Sequence, residues 1–164
     1  MEQRIVTRTI VILVGMPCSG KTTYCKRNNI SYVSRDDIRE FHFRKPYIYL
    51  GENEKKVTNM FDKLVESYLE YNEVVTLDNT HCKEKYIDGI ISKYKDIPIT
   101  IHFFEISLVK AYYRNIIRYF QTGRWIPFRV INNMNKNFKQ INRKKYTKYL
   151  SLWAKFGLHL IHIL

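Results

Sequence analysis

Acidic residues are scarce in this sequence, and none follows Glu105. The 164 residues include 28 Lys and Arg against 15 Asp and Glu, which gives a formal net charge of +13. Twelve of the Lys and Arg residues lie after Glu105, so nearly all of the excess charge belongs to one end of the chain. This asymmetry favours a polyanionic partner such as a nucleic acid. The alternatives are a solvated basic face and an AT-rich genome, viral or phage for example, whose codons favour Lys.

Long hydrophobic runs are missing, and cysteines are few. No stretch reaches the roughly 18 apolar residues that a membrane-spanning helix requires, and Met1–Arg4 does not begin a signal-peptide pattern. The three cysteines, Cys18, Cys25 and Cys82, lack a metal-ligand spacing and are expected to be reduced thiols. We therefore predict one domain over residues 1–164, with no membrane partner. The expected location is the cytoplasm, or the host-cell cytoplasm or nucleus if the source is viral.

Short apolar runs alternate with amphipathic segments along the chain. The runs predict strands, and segments with apolar residues three and four positions apart predict helices. The predicted strands are Thr9–Val14, Ile30–Ser34, Glu73–Leu77, Ile97–Ile106 and Leu158–Leu164. The predicted helices are Lys21–Arg27, Asp36–Phe43, Glu52–Tyr71, Lys83–Lys95, Leu108–Phe120 and one that begins after Pro127; Arg44–Gly51 and Gln121–Ile126 are predicted loops. The alternation predicts an α/β fold, with helices on both faces of a parallel sheet of four or five strands.

The motif with the clearest chemistry follows the first predicted strand and opens the first predicted helix. It has the pattern G-x-x-x-x-G-K-[ST], present here as Gly15-Met16-Pro17-Cys18-Ser19-Gly20-Lys21-Thr22. Glycines let backbone N–H groups turn towards an anion, and the helix N-terminus adds a favourable dipole. Lys21 supplies a cation for the β- and γ-phosphates of ATP or GTP, and the Thr22 hydroxyl can ligate Mg²⁺. The alternative, an ordinary strand–turn–helix, gives the lysine no structural purpose.

Two groups of polar side chains follow the second and third predicted strands. They are Ser34-Arg35-Asp36-Asp37-Ile38-Arg39 and Asp78-Asn79-Thr80. Ligands of open α/β sheets bind at the carboxyl ends of the strands, so both groups should face the phosphate loop. In a kinase, one Asp would accept the proton of the acceptor hydroxyl, Arg39 would hold an anionic acceptor, and Asp78 would ligate Mg²⁺ directly or through water. In the alternative, Asp36 or Asp37 only caps the helix and Asp78 is a turn residue.

A further set of arginines lies in the basic part of the chain. Arg114 and Arg118 are four residues apart on one helical face, and Arg124 follows in a loop that contains Gly123. A mobile helix–loop–helix with arginines can close over a triphosphate and exclude water, so residues 114–130 are predicted to form a lid. A basic helical segment over about 127–149 follows. The neighbouring aromatic residues are expected to belong to the core rather than to a base-stacking surface; they are Tyr112, Tyr113, Tyr119, Phe120 and Trp125.

Taken in order, these motifs resemble those of phage-type polynucleotide 5′-hydroxyl kinases. The resemblance covers about residues 9–140 and rests on the loop through Thr23, the R-D-D-x-R cluster, Asp78-Asn79-Thr80, the two lid arginines, and Pro127 with Val130-Ile131 and Met134. It implies a P-loop NTPase fold of the adenylate-kinase type. It also implies that Asp36 is the general base, that Arg39 holds the phosphate beside the acceptor sugar, and that Arg114 and Arg118 contact the triphosphate.

The residue patterns and the resemblance together suggest a role for each candidate residue. The nucleotide would be bound by Gly15, Pro17, Cys18, Ser19, Gly20, Lys21, Thr22, Thr23, Arg114 and Arg118. The acceptor would be bound by Arg35, Asp36, Arg39, Asp78, Asn79 and Thr80, and Mg²⁺ by Thr22 and Asp78. Catalysis would rest on Asp36, Lys21, Arg39, Arg114 and Arg118.

The chain also departs from the family pattern. Cys18 stands where glycine is commoner, and Asn79-Thr80 has the reverse order. A D-x-D-x-T phosphatase signature and a lysine-centred ligase motif are both missing, so a separate phosphatase or ligase is the expected partner. Cys18 lies near a helix N-terminus, which suggests a thiol that ionises easily.

The predicted function is ATP-dependent phosphorylation of the 5′-hydroxyl of RNA or DNA, with Mg²⁺ and with ATP, or GTP, as donor. The first alternative is a P-loop kinase that acts on a nucleoside, a sugar or a related small molecule. The second is a nucleotide-binding module that binds nucleic acid without transferring phosphate.

Overall fold

The computed structural model describes residues 8–44 and 51–150. Its strands are β1 (Thr9–Gly15), β2 (Tyr32–Val33), β3 (Val74–Asp78) and β4 (Ile99–Phe104). Its α-helices are α1 (Lys21–Arg27), α2 (Arg35–Phe43), α3 (Gly51–Tyr71), α4 (Glu84–Lys93), α5 (Leu108–Thr122) and α6 (Phe128–Lys139), followed by a 3₁₀ helix over Arg143–Tyr149. The strands form one parallel sheet in the order β2-β3-β1-β4. The predicted α/β fold with a four-stranded parallel sheet is therefore confirmed.

The core lies mainly on one face of this sheet. Ile10, Ile12 and Val14 alternate along β1 towards this face, and the register aligns Ile10 with Val75 and Ile99. These side chains pack with buried apolar residues of the helices, which include Val57, Phe61, Val65, Ile87, Ala111 and Ile131. Burial of this continuous apolar face is what holds α3 to α6 against the sheet.

Helix α1 lies on the opposite face. The ring of Tyr24 contacts the rings of His102 and Phe104 on β4, with centroid distances of 6.3 and 5.4 Å. A groove of about 380 Å³ on this face is lined by residues including Val11, Tyr24, Thr76 and His102. It contains none of the predicted site residues, which all lie at the carboxyl ends of the strands.

Strand β2 is much shorter than the predicted Ile30–Ser34, because its neighbours hydrogen-bond elsewhere. The Ile30 N–H donates to the carbonyl of Cys25 at the end of α1, and the Ser34 side chain caps α2. Strand β4 starts at Ile99 rather than Ile97 for a similar reason, since the Ile97 N–H closes a turn on Tyr94.

Several helix limits also differ from the predicted ones. Helix α4 is shorter at both ends than Lys83–Lys95, because Lys83 has extended backbone. Helix α5 continues to Thr122, where Gly123 ends it in the left-handed conformation at φ 69°. The predicted strand Leu158–Leu164 and most of the predicted loop Arg44–Gly51 lie outside the described residues.

The predicted basic helical segment consists of α6 and the 3₁₀ helix, and acidic residues from earlier in the chain neutralise part of it. Arg143 pairs with Glu105, and Lys145 lies 2.7 Å from Asp88 and 3.7 Å from Glu84. These cations therefore help to fix the 3₁₀ helix on α4 and β4 and are not free for a polyanion. Within the described residues, no helix is both long and apolar enough to cross a membrane.

Candidate active site

The loop between β1 and α1 has the backbone that the glycine motif predicts. A Cβ on Gly15 would lie 2.7 Å from the carbonyl oxygen of Phe104 and 2.9 Å from the Ser19 hydroxyl, so only glycine fits there. Gly20 adopts φ 98° and Cys18 φ 63°. A cysteine at the second of these left-handed positions bears the strain that a glycine would avoid. Pro17 and Ser19 are buried in the loop, whereas Thr23 is exposed in the first turn of α1.

Lys21 is buried inside this loop. Its ammonium donates to the carbonyls of Gly15 and Met16 at 2.8 and 2.9 Å and to the Ser19 hydroxyl at 3.2 Å. Burial lowers the pKa of Lys21, while the nearby charge of Asp78 opposes the shift. A cation held so tightly within a glycine loop matches the predicted phosphate site, because an incoming anion would compensate the charge.

Thr22 and Asp78 meet at the carboxyl ends of β1 and β3. The Thr22 hydroxyl donates to the Asp78 carboxylate at 2.5 Å. Burial raises the pKa of Asp78, the bond from Thr22 and the charge of Lys21 oppose this, and the charges of Asp37 and Asp36 add to it. In the described part of the chain, no three His, Cys, Asp or Glu side chains cluster as metal ligands. The oxygens of Thr22 and Asp78 are of the kind that Mg²⁺ takes as ligands together with phosphate oxygens in kinases.

The cluster after β2 begins with a helix cap that is neither Asp36 nor Asp37. Ser34 is the N-cap of α2, and its hydroxyl accepts from the Asp37 N–H at 3.4 Å. The alternative in which either aspartate only caps the helix is therefore wrong. Asp36 is exposed, and its carboxylate accepts from the guanidinium of Arg39 at 2.6 Å. Burial raises the pKa of Asp37, against a hydrogen bond from Tyr32.

Glu54 on α3 is a member of this cluster that the sequence reasoning missed. Its two carboxylate oxygens accept from Nε and Nη2 of Arg39 at 2.8 and 3.0 Å. The same carboxylate accepts from Arg35 at 2.9 Å. Arg39, which is only 5% exposed, is thus fixed in a bidentate pair on one side and by Asp36 on the other. The sequence could have indicated this pairing. Glu54 lies one turn before the buried Val57, and a carboxylate on the buried side of a helix requires a partner.

Asn79 and Thr80 connect the end of β3 to the phosphate loop and to α2. The Asn79 side chain accepts from the Arg35 N–H at 3.0 Å, which joins the end of β3 to the start of α2. The Thr80 carbonyl accepts from the Gly15 N–H at 2.9 Å. Both residues therefore help to position the phosphate loop and α2 relative to each other.

The two predicted lid arginines lie against the phosphate loop. Arg114 donates to the carbonyl of Cys18 at 3.2 Å. Arg118 donates through Nη2 to the side chain of Asn115 at 3.1 Å, while its buried Nε has no hydrogen-bond partner among the described residues. An orphaned guanidinium donor beside a phosphate loop fits an anion such as a triphosphate.

Asn115, a second residue that the sequence reasoning missed, fixes the lid loop. It is fully buried; its Nδ2 donates to the carbonyl of Ile126 at 2.8 Å, and its Oδ1 accepts from the Ile126 N–H at 3.2 Å. Asn115 lies four positions after the buried Ala111, on the same helical face, and this spacing could have indicated a buried polar residue. Asn115 therefore anchors the loop after α5 at Ile126, and the Arg124 of this loop reaches the acceptor cluster, 3.8 Å from Asp36 and 4.0 Å from Glu40.

Two expectations about this region are wrong. Burial raises the pKa of the Cys18 thiol although the charges of Arg118, Lys21 and Arg114 oppose it, so this thiol does not ionise easily. The aromatic residues of the lid are mostly not core: Phe120 is 81% and Tyr113 64% exposed. Of the five aromatic residues expected in the core, Tyr112 does pack against it, and its hydroxyl donates to Asn132 at 2.6 Å.

Residues 10–141 match a protein family described as AAA domain. The chain belongs to this family. Among solved structures, it is similar to a chain of the Pnkp1/Rnl/Hen1 RNA repair complex, with 26% identity and a TM-score of 0.76 over 84% of this chain. A chain of a second Pnkp1/Rnl/Hen1 complex shares 22% identity, with a TM-score of 0.62 over 70% of this chain. A gluconokinase from Sinorhizobium meliloti 1021 shares 13% identity, with a TM-score of 0.51 over 90% of this chain and 82% of its own.

The chain spans less than half of the two repair-complex chains that it resembles, 46% and 41%. No curated protein sequence matches it. The family and these structures together show a P-loop kinase fold. A nucleotide-binding phosphotransferase is the activity class that this fold implies.

Proposed function

We propose that this chain transfers the γ-phosphoryl group of ATP to the 5′-hydroxyl end of a polynucleotide. The observation that carries the proposal is the acceptor cluster beside the phosphate loop, in which Asp36 is held 2.6 Å from a buried Arg39. The segment after β3 links the two halves of the site, because Asn79 accepts from the Arg35 N–H at 3.0 Å and Thr80 accepts from the Gly15 N–H at 2.9 Å. The similarity to an RNA repair complex supports the same acceptor class.

Each side chain then has a defined task. Asp36 accepts the proton of the 5′-hydroxyl as that oxygen forms its bond to the γ-phosphorus and the bond to the β–γ bridging oxygen breaks. Arg39 holds the phosphate next to the acceptor sugar. Lys21, Arg114 and Arg118 stabilise the charge on the transferring group. Thr22 and Asp78 would hold Mg²⁺, which when bound neutralises phosphate charge.

A label-transfer assay tests the proposal. γ-labelled ATP is offered with 5′-hydroxyl RNA, 5′-hydroxyl DNA, nucleosides and gluconate side by side. We expect label on the polynucleotide ends, and Lys21→Ala should lower the rate on the order of 10²-fold or more because a transition-state cation is lost. Asp36→Asn should also be severely impaired, with Asp96→Asn, an exposed aspartate before β4, as the matched control. Full activity of Asp36→Asn would remove the base assignment and leave the phosphate site intact.

A small-molecule kinase is the second candidate, favoured by the similarity to the gluconokinase over 82% of that chain. The dependence of acceptor affinity on ionic strength distinguishes the polynucleotide kinase from the small-molecule kinase. Affinity for a single-stranded acceptor should fall steeply with ionic strength, with log K decreasing by about 0.7 per phosphate contacted for each tenfold rise in salt. A neutral acceptor would show little slope. Oligonucleotide binding without any labelled product would instead support a nucleotide-binding module without transferase activity.

A further inference from the structure

Four aromatic side chains form a continuous exposed cluster on the lid. We call Tyr119, Phe120, Trp125 and Phe128 the lid cluster. Tyr119 contacts Phe120 and Trp125 with ring centroids 5.7 and 5.9 Å apart, and Trp125 contacts Phe128 at 5.0 Å. Their exposed fractions are 49% for Tyr119, 81% for Phe120, 38% for Trp125 and 39% for Phe128. Four neighbouring aromatic residues with this exposure form an apolar patch of the kind that marks a binding surface.

The lid cluster is held in place before any ligand arrives. Trp125 lies between Arg124 and Ile126, and the buried Asn115 fixes both backbone groups of Ile126. Tyr119 and Phe120 belong to α5, and Phe128 starts α6. The rings therefore need little ordering on binding, which lowers the entropic cost of a stacked complex.

The lid cluster begins beside the acceptor site. Arg124, the residue before Trp125, lies 3.8 Å from the carboxylate of Asp36. Trp125 is thus one residue away from a side chain that contacts the acceptor cluster. No acidic residue follows Glu105, whereas several basic residues lie near the cluster in the sequence. They are Lys110, Arg114, Arg118, Arg124 and Arg129.

We propose that the lid cluster is the surface on which unpaired bases next to the 5′ end stack. The proposal rests on the polynucleotide acceptor proposed above and makes it more specific, because it selects single-stranded ends. Every base presents a π face, so stacking on aromatic rings that lie among basic residues is tolerant of sequence. The bases of a blunt duplex are already paired and stacked and would gain nothing from these rings.

Fluorescence of Trp125 tests this stacking directly. The other tryptophan, Trp153, lies outside the described residues and is removed as Trp153→Phe, so the signal reports on Trp125 alone. We expect a single-stranded 5′-hydroxyl RNA to quench the emission, and an abasic strand with the same phosphates to quench it several-fold less at equal salt. Equal quenching by the two strands would overturn the proposal. So would concentration-dependent emission changes without RNA, because these would identify the cluster as a protein–protein surface.

Kinetics give a second readout. Trp125→Ala should raise the KM for a single-stranded acceptor about tenfold, which corresponds to about 1.4 kcal/mol and lies within the range for one stacked base. Trp125→Phe should restore most of this loss, and the KM for ATP should stay the same. Tyr71→Ala is the control, because Tyr71 is an exposed aromatic at the end of α3, just before the amino end of β3 and away from the acceptor cluster. An unchanged acceptor KM in Trp125→Ala would overturn the proposal.

The two proposals fail separately. Base-dependent quenching without label transfer would leave the stacking surface standing and remove the kinase activity. Label transfer to RNA ends without base-dependent quenching would support the kinase activity and remove the stacking surface.

Discussion

Glu54→Gln tests the reasoning about how the acceptor site is held together. In the folded protein one carboxylate receives three charge-assisted hydrogen bonds, two from Arg39 at 2.8 and 3.0 Å and one from Arg35 at 2.9 Å. Glutamine has nearly the same shape, but it retains a single neutral acceptor oxygen. The substitution therefore removes the charge and at least one of these bonds without opening a cavity.

The expected magnitude follows from burial. Hydrogen bonds to charged groups contribute about 1.5–3 kcal/mol each when shielded, but the Glu54 side chain is 28% exposed, so water screens part of this. Arg39, at 5% exposed, keeps only Asp36 as a charged partner among the contacts described above. We expect the free energy of unfolding to fall by about 2 kcal/mol, which lowers Tm by about 4–8 °C in a chain of this size. Because Arg39 is the residue proposed to position the acceptor, kcat/KM for a polynucleotide should fall about 10–100-fold.

Calorimetry and the label-transfer assay measure the two effects in the same preparations. Glu70→Gln is the matched control, an exposed glutamate on the same helix, and should change neither value. A Tm within about 1 °C of the unmodified protein, together with unchanged kcat/KM, would refute the idea that Glu54 fixes Arg39.

The pH dependence provides an independent check of the same contact. Hydrogen bonding from Arg39 is the main reason that the pKa of Glu54 lies below its ordinary value of 4.5. A depressed carboxyl pKa adds stability above that ordinary value, and the stability is lost as the pH falls through the folded-state pKa. The difference in Tm between the unmodified protein and Glu54→Gln should therefore narrow as the pH is lowered below 4.5.

Three further predictions follow from the site. Gly15→Ala should strongly impair nucleotide binding in a fluorescent-ATP titration, because the added Cβ would lie 2.7 Å from a carbonyl oxygen. Gly89→Ala is the contrasting variant: it lies in a helix with open space around it and should raise the free energy of unfolding by about 0.5–1 kcal/mol. Burial lowers the pKa of His81 to about 4, so stability should fall by about 3 kcal/mol between pH 6.5 and 4; His81→Asn, which suits the left-handed backbone, should flatten that slope in urea titrations. Cys18→Gly should raise the free energy of unfolding by about 1 kcal/mol, and hence Tm by about 2–4 °C, because the φ of 63° is strained for cysteine; a lower Tm would contradict this.

Local sequence relations anticipated much of the fold and part of the site. The alternation of apolar runs and amphipathic segments predicted the parallel sheet, because burial of both sheet faces requires it. Asp36 and Arg39 are three residues apart in α2, so they share a helical face, and their side chains meet there. Strand limits were less predictable, since competing turn and cap hydrogen bonds shortened β2.

Contacts between distant elements could not be read from the chain. Glu54 reaches Arg39 only because α3 packs on α2, and no local spacing encodes the pairing. Cys18 was expected to ionise because of its position near a helix N-terminus, but burial raises its pKa instead. The lid aromatics were expected in the core, and only the packing of α5 and α6 leaves Phe120 in solvent.

The sequence by itself therefore determined the glycine loop that encloses Lys21, because this loop depends on backbone geometry within eight consecutive residues. It also determined the charge asymmetry of the chain. Only the tertiary structure decided which cations are free, because Arg143 and Lys145 pair with acids far away in the sequence. It alone brought Arg124 to Asp36, since that contact depends on how Asn115 holds the lid loop against the folded core.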